Sequence, residues 1–148
     1  MASAWVHMEQ YAHLIHEWVQ AGGRYLGFCL GGYLAGATPG FGLLPGDSAR
    51  YISSRGAEID TTDNTVIDVT WRGEDRSMFF QDGPMFVLRD GARTEVLARY
   101  RNGTIAAVVT DSVAAVSVSS VPTPRLTSRG TPTVSSTRTG SGSISVSI

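Results

Sequence analysis

The stretch Gly22-Gly23-Arg24-Tyr25-Leu26-Gly27-Phe28-Cys29-Leu30-Gly31-Gly32 places the only cysteine of the chain between two glycines, directly after a short apolar run. Gly27, Cys29 and Gly31 have the spacing of a nucleophile elbow, a tight turn from a strand into a helix that exposes a reactive side chain. Glycines on either side let the backbone fold closely beneath that side chain. We therefore predict that Cys29 is a nucleophile at the end of a short strand, Tyr25–Phe28.

The residues after the elbow favour a helix that begins close to the thiol. Gly32 is followed by the apolar run 33–37, and the amino-terminal end of such a helix carries partial positive charge. That charge lowers the pKa of a nearby thiol, so we expect Cys29 to be a thiolate at neutral pH. A lone cysteine that packs as a small apolar residue is the alternative that so short a pattern leaves open.

Composition limits the class of protein. The chain has 148 residues, 42% of them hydrophobic, and a net charge of −1, which fits one domain. It has no membrane-length apolar stretch and no signal-like amino terminus, so we expect a cytoplasmic protein without a membrane partner. A single cysteine excludes an internal disulfide, and His7, His13 and His16 lack metal-ligand spacing, so we expect no metal and no cofactor. All twelve cationic residues are arginines scattered among carboxylates, which argues against a nucleic-acid partner.

The charge and composition change abruptly near Ser112. Every acidic residue lies at or before Asp111, whereas residues 113–148 hold three arginines, no aromatic residue and many serines and threonines. A segment of this kind buries too little apolar surface to offset the entropy of ordering. We therefore predict a folded domain over residues 1–111 and a low-complexity, disordered tail over residues 112–148.

The start of the chain predicts a helix, a strand and a second helix. Residues 3–20 have apolar positions at helical spacing, with Ser3 as the N-cap and Gly22-Gly23 as the stop. The three histidines do not share one helical face, so we assign them no catalytic role. The order of helix, strand, elbow and helix is typical of a parallel α/β sheet, in which ligands bind at the carboxyl ends of the strands.

The middle of the chain predicts a small antiparallel extension beside that sheet. Residues 36–46 are rich in glycine and proline and predict a loop, Tyr51 and Trp71 are expected to be packing residues, and Asp82 and Asp90 to form turns. Turn signals such as Asn102-Gly103 separate the predicted strands. The predicted strands are Thr65–Trp71, 77–80, 85–88, Glu95–Tyr100 and 105–110.

Three features together resemble a known family. They are the elbow, the segment 79–86, and the segment 96–100 followed by Ile105–Val109. Over residues 3–111 the chain is similar to the class I glutamine amidotransferase-like domain at the amino terminus of biotin-protein ligases. The resemblance implies a flavodoxin-like α/β fold with a partial parallel sheet and flanking helices, and a small-molecule amide as substrate.

The resemblance also implies roles for the elbow residues. Cys29 matches the nucleophile that attacks an amide carbonyl, and the N–H of Leu30 matches one donor to the oxyanion. Gly27, Gly31 and Gly32 match the elbow glycines. In the family a histidine is the base and an acidic residue orients it, but this chain has no histidine after His16.

Two departures from the family suggest an inactive protein. The family has a first strand and a Pro-Gly-Gly loop before the helix of residues 3–20, so we expect a chain truncated at its amino terminus. Its histidine and acidic residue occur in a Gly-Pro-His-Pro-Glu segment shortly after the equivalent of Val109, which this chain lacks. A binding or regulatory module without turnover, and a redox-sensing cysteine protein of the DJ-1-like branch, stay open as alternatives.

A frameshift near Ser112 would explain the missing segment. When GC-rich synonymous codons are chosen for residues 113–125 and translated two nucleotides later, the product contains Gly-Pro-His-Pro-Glu. We therefore expect residues 112–148 to be out-of-frame translation without a selected fold. An ordinary linker or a genuine edge strand is the alternative.

Sequencing the gene with its flanking DNA tests this expectation. We expect an upstream Pro-Gly-Gly loop and a Gly-Pro-His-Pro-Glu segment out of phase with the present frame. If the flanking DNA encodes neither, the serine-rich and threonine-rich segment is genuine and the frameshift hypothesis is wrong.

Overall fold

The computed structural model describes residues 2–117, which form three helices and one eight-stranded sheet. Short 3-10 turns follow the first helix and the second strand. No helix in this part of the chain is both long and apolar enough to cross a bilayer. The elements are α1 (Ala2–Met8), α2 (Ala12–Gln20), β1 (Tyr25–Phe28), α3 (Leu30–Ala35), β2 (Gly46–Arg50), β3 (Thr65–Trp71), β4 (Glu74–Phe80), β5 (Pro84–Leu88), β6 (Glu95–Tyr100), β7 (Ile105–Val109) and β8 (Val113–Val116).

The sheet is mixed, and its antiparallel part is the larger. Its main path has the order β1-β8-β7-β6-β3-β4, while β5 pairs with both β2 and β7. Among the described strands only β1 and β8 run parallel. The predicted α/β class is confirmed, but the antiparallel strands are the body of the sheet and not a small extension beside it.

Local turn chemistry explains the strands that were predicted well. Arg72 and Gly73 both have positive φ, 50° and 85°, which is the backbone that a two-residue hairpin between β3 and β4 requires. Gly103, with φ 84°, turns the chain between β6 and β7. The side chain of Asn102 fixes this turn by accepting hydrogen bonds from the N–H of Thr104 at 3.1 Å and from its hydroxyl at 2.7 Å.

The strand β2 was missed because its sequence is polar. Residues 46–50, Gly-Asp-Ser-Ala-Arg, contain no β-branched or aromatic residue and follow a segment rich in glycine. The strand forms by antiparallel pairing with β5, from Gly46 opposite Leu88 to Arg50 opposite Pro84. Tertiary pairing therefore overrides weak local propensity here.

Val113–Val116, which the composition predicts to be part of the tail, is an inner strand of the sheet. It lies between β1 and β7, and Val113, Ala115 and Val116 are buried. The hydroxyl of the next residue, Ser117, is buried against the hydroxyl of Tyr100 and hydrogen-bonded to it. Four apolar residues form a strand here because a neighbouring strand pairs with them on each side. The low-complexity composition after residue 112 does not prevent this. The rest of the predicted tail, 118–148, lies outside the described residues.

Two apolar clusters form the core. The first is centred on stacked Tyr51 and Tyr100, whose ring centroids are 3.7 Å apart, with Phe80 edge-on to both. The buried residues of the first cluster are Tyr51, Ile67, Val69, Met78, Phe80, Ala98, Tyr100, Ala106, Ala107 and Val116. Those of the second are Val19, Ala35, Leu44, Phe86, Val108, Val113 and Ala115.

The first helical segment differs from its prediction in two ways. A 3-10 turn at Glu9–Tyr11 separates α1 from α2, and Ser3 lies inside α1 and is not its N-cap. Trp18, at one of the apolar positions of residues 3–20, is 55% exposed, and Val19 is the buried residue of α2. The helix does end as predicted, since the N–H groups of Gly22 and Gly23 donate to the carbonyls of Val19 and Trp18.

A charge placed at Ala115 tests whether β8 is part of the folded core. Ala115 is fully buried, so we expect Ala115→Asp to lower the free energy of unfolding by about 3 kcal/mol or more, since the carboxylate has no partner there. Ala114→Asp, at a half-buried position on the opposite face of the strand, is the matched control and should cost less. Urea denaturation measures both, and an unchanged stability of Ala115→Asp would mean that the segment is not in the core.

Candidate functional site

The backbone at Cys29 is strained. Cys29 lies between β1 and α3 with φ 47° and ψ −105°, a conformation that is costly for any residue with a Cβ. Its N–H donates to the carbonyl of Val116 at 2.9 Å, and its own carbonyl accepts from the N–H of Tyr33 at 3.1 Å. The chain therefore turns from strand into helix at this residue and is held on both sides by backbone hydrogen bonds.

The glycines around Cys29 differ in why they are needed. A Cβ at Gly27 would lie 2.4 Å from the carbonyl oxygen of Gly31, so only glycine fits there. A Cβ at Gly32 would lie 3.0 Å from the carbonyl oxygen of Val116, which is tight. A Cβ at Gly31 would meet only the Tyr25 hydroxyl, at 3.5 Å, an ordinary contact. Gly31 contributes its backbone instead, because its carbonyl packs on Gly27 and accepts a hydrogen bond from Tyr25 at 2.7 Å.

The Cys29 thiol opens into a cavity of about 310 Å³. The thiol donates to the carbonyl of Gln81 at 3.3 Å, and the backbone N–H of Leu30 is directed at the sulfur. The amide next to the nucleophile thus faces the atom that would attack a substrate. The lining residues are Cys29, Leu30, Tyr33, Arg50, Gln81 and Asp82.

The expectation that Cys29 is a thiolate is wrong. Burial raises the pKa of the thiol above its ordinary value, and the negative charge of Asp82 raises it further. The hydrogen bond from Leu30 lowers this pKa but does not compensate. Since α3 spans only six residues, its end is a weak source of positive charge, and desolvation dominates. The thiol is therefore protonated at neutral pH.

An ion pair closes one side of the cavity. Nε of Arg50 donates to both carboxylate oxygens of Asp82 at 3.1 and 3.2 Å, and Nη2 donates to Oδ2 at 2.6 Å. Arg50 is the last residue of β2, and Asp82 lies in the turn after β4 with φ 43°. The two side chains are 48% and 28% exposed. Asp82 thus forms the turn that the sequence predicted and also lines the cavity.

A buried tyrosine hydroxyl lies at the same cavity. Tyr33, one helical turn after Cys29, is 7% exposed, and no described residue accepts a hydrogen bond from its hydroxyl. Burial raises the pKa of Tyr33 far above its usual value and the charge of Asp82 adds to this, while nearby Arg50 lowers it in part. The phenol therefore keeps its proton and is a hydrogen-bond donor without an acceptor.

The described part of the chain places no histidine at the cavity. His7 and His13 are exposed on the first helical segment, and His16 is half-buried beside a separate cavity. Among residues 2–117 no group of three or more histidine, cysteine, aspartate or glutamate side chains is arranged to hold a metal ion. The cavity therefore combines a thiol, a backbone donor, a phenol and an ion pair, with no imidazole near the sulfur.

Comparison with known proteins supports the resemblance. Residues 5–45 match the family model described as the biotin-protein ligase amino-terminal domain, a range that contains the Cys29 turn. The chain resembles that domain. Sixteen chains of solved structures also match, among them one titled as a crystal structure of glutamine amidotransferase, with a TM-score of 0.58 and 22% identity over 76% of this chain. At that identity the likeness shows the fold, and it spans 61% of the other chain. Curated protein sequences give no match.

Local sequence patterns predict some of the residues that line this cavity and not the others. Cys29 and Leu30 follow from the local glycine pattern. Tyr33 belongs to an apolar run in the sequence, which predicts packing and no role in a site. Nothing local predicts β2, and therefore nothing predicts a role for Arg50 at its end. The signal available in the sequence was the polar turn Gln81-Asp82, but nothing local connects that turn to a cysteine more than fifty positions earlier.

Alanine substitutions separate the roles of two elbow glycines. We expect Gly27→Ala to lower the free energy of unfolding by about 1–3 kcal/mol, because the new Cβ overlaps the Gly31 backbone. Gly31→Ala adds a methyl group in ordinary contact with the Tyr25 hydroxyl within a helix, and we expect a gain of about 0.5–1 kcal/mol. Chemical denaturation of both variants measures the difference, and equal losses would contradict the assigned contacts.

Proposed function

We propose that residues 2–117 carry the nucleophile half of a cysteine-dependent site for amide chemistry. In this proposal Cys29 attacks a carbonyl carbon and the N–H of Leu30 donates to the oxygen that becomes negative. The observation that carries it is the strained backbone of Cys29, φ 47° and ψ −105°, in a turn that aims the next amide at the sulfur. Strain of this kind is concentrated at functional sites.

The same surroundings support slow acylation and little turnover. The thiol is protonated because burial and Asp82 raise its pKa, and the group that receives its hydrogen bond is the carbonyl of Gln81, which is not a base. Leu30 is the oxyanion donor that we assign among the described residues, and in comparable sites the loss of one donor costs about 10²–10³ in rate. We therefore propose that the described residues accept an acyl group at Cys29 but do not hydrolyse amides efficiently.

The redox alternative has less support. A redox-sensing cysteine of the kind considered from the sequence needs an acidic residue close to the thiol. Asp82 is the acidic residue at the cavity, but its carboxylate is bonded to Arg50 and its charge raises the pKa of Cys29. Since peroxide reacts with the thiolate, a protonated thiol is oxidised slowly.

An acyl-transfer burst tests the proposed function. With p-nitrophenyl acetate we expect one equivalent of p-nitrophenolate per chain, an acetyl group on Cys29 by mass spectrometry, and very slow release afterwards. Cys29→Ser is the control and should show no burst. With glutamine we expect little or no ammonia. Absence of acylation in the folded protein would contradict the proposal, and rapid glutamine hydrolysis would contradict the absence of a base.

The charge of Asp82 should control the reactivity of the thiol. Because this carboxylate raises the pKa of Cys29, Asp82→Asn should lower that pKa and speed alkylation by iodoacetamide at pH 7–8, by roughly three- to tenfold. The gain should vanish at high pH, where both proteins are thiolates. Asp90→Asn, at an exposed turn position, is the matched control and should leave the pH–rate profile unchanged.

A further inference from the structure

We propose that Tyr33 and Arg50 form a recognition site for the carboxylate group of a small molecule bound beside Cys29. Asp82 occupies the Arg50 part of this site as an internal substitute. The proposal rests on the proposed function in one respect, since it places the bound molecule against the Cys29 thiol. It adds the chemical class of the ligand and the residues that select it.

The first support is the Tyr33 hydroxyl. A phenol in a residue that is only 7% exposed loses hydrogen bonds to water, and such groups are almost always paired within the protein. Here no described residue accepts its proton. An oxygen of a ligand in the cavity lined by Tyr33 is the partner that this geometry lacks.

The second support is the hydrogen-bonding capacity of Arg50. A guanidinium has five N–H donors, and Asp82 engages Nε and Nη2. The guanidinium also interacts with the Tyr33 hydroxyl. Arg50 can therefore turn toward a second carboxylate with little loss, because its pair with Asp82 is partly exposed, at 48% and 28%, and such pairs contribute little to stability.

The third support is that the group paired with Arg50, the side chain of Asp82, carries a negative charge. The acceptor that Arg50 selects within the protein is itself a carboxylate, held in a forked arrangement suited to a guanidinium. A ligand carboxylate that replaces it would accept from Arg50 with one oxygen and from Tyr33 with the other. Arg50 and Tyr33 already interact at the cavity that both line, so one carboxylate can reach both side chains.

A ratio of alkylation rates tests this directly. Iodoacetate and iodoacetamide are nearly equal in size, and each forms a carbon–sulfur bond to the thiolate and releases iodide. The longer pair 4-iodobutyrate and 4-iodobutyramide places the carboxylate further from the sulfur. Cys29 is the only cysteine, so labelling reports one site. Dividing the carboxylate rate by the amide rate at one pH cancels the thiolate fraction, and hence any change in the pKa of Cys29.

The variants are predicted to move this ratio in opposite directions. Relative to N-acetylcysteine amide, the protein should favour the carboxylate reagent of at least one pair. Tyr33→Phe and Arg50→Gln should each lower the ratio about tenfold, the usual size of a lost hydrogen bond to a charged group. Asp82→Asn should raise it, because the internal competitor loses its charge. Arg50→Lys keeps the charge but not the forked donors, and should lower the ratio as well.

Tyr33→Phe is the decisive variant because it changes no charge. A general electrostatic effect of Arg50 or Asp82 would leave its ratio equal to that of the wild type, and this result would overturn the proposal. A lower ratio in Asp82→Asn would do the same. The variant should fold at least as stably as the wild type, since it removes an unsatisfied hydroxyl.

A second measurement separates this proposal from the proposed function. If neither reagent alkylates folded Cys29, while the unfolded chain is labelled, the proposed function fails. Carboxylate binding is then measured in Cys29→Ser by the unfolding temperature in sodium butyrate against sodium chloride of equal ionic strength. Stabilisation that is lost in the Tyr33→Phe, Cys29→Ser double variant supports the site, and no stabilisation by butyrate overturns it.

Discussion

The hydrogen bond from the N–H of Cys29 to the carbonyl of Val116, 2.9 Å long, joins the thiol-bearing turn to an inner strand of the sheet. The other end of β1 is held the same way, by a bond from Tyr25 to the carbonyl of Ser112. Among the described strands β1 has no other neighbour, so β8 fixes the position of the nucleophile turn. The opposite wall depends on the same segment, because a Cβ at Gly83, next to Asp82, would lie 2.1 Å from the carbonyl oxygen of Ser117.

Much of the fold could be predicted from local sequence, and the two strands that were not predicted share a property. Thr65–Trp71 and Glu95–Tyr100 were predicted with the bounds that the structure shows, because apolar alternation and turn residues mark both ends. Gly46–Arg50 lacks such marks and becomes a strand by pairing with Pro84–Leu88, far along the chain. Val113–Val116 lacks them too, and it pairs with the preceding strand β7 and, in parallel, with the distant β1. Composition placed the second of these outside the domain, although it organises the candidate site.

The candidate site likewise has residues that local sequence predicts and residues that it does not. The positions of Cys29 and Leu30 follow from glycine spacing over five residues, but the protonation state of the thiol does not. The helix formed by the residues after Cys29 predicts a lower pKa of the thiol. Burial and the charge of Asp82 raise that pKa, and they come from elements distant in sequence. Tyr33, Arg50 and Asp82 converge from a helix, a strand and a turn, and no one-dimensional pattern brings them together.

Two destabilising features lie at one cavity. Positive φ at Cys29 costs about 1–3 kcal/mol, and an unsatisfied buried hydroxyl such as that of Tyr33 costs a similar amount. The aromatic cluster of Tyr51, Phe80 and Tyr100 next to it has no comparable defect. A cavity that served packing alone would be filled by an apolar side chain at position 33. Two costs side by side, next to a thiol for which the described residues supply no imidazole base, are what a ligand-binding cavity requires and what a packing defect does not explain.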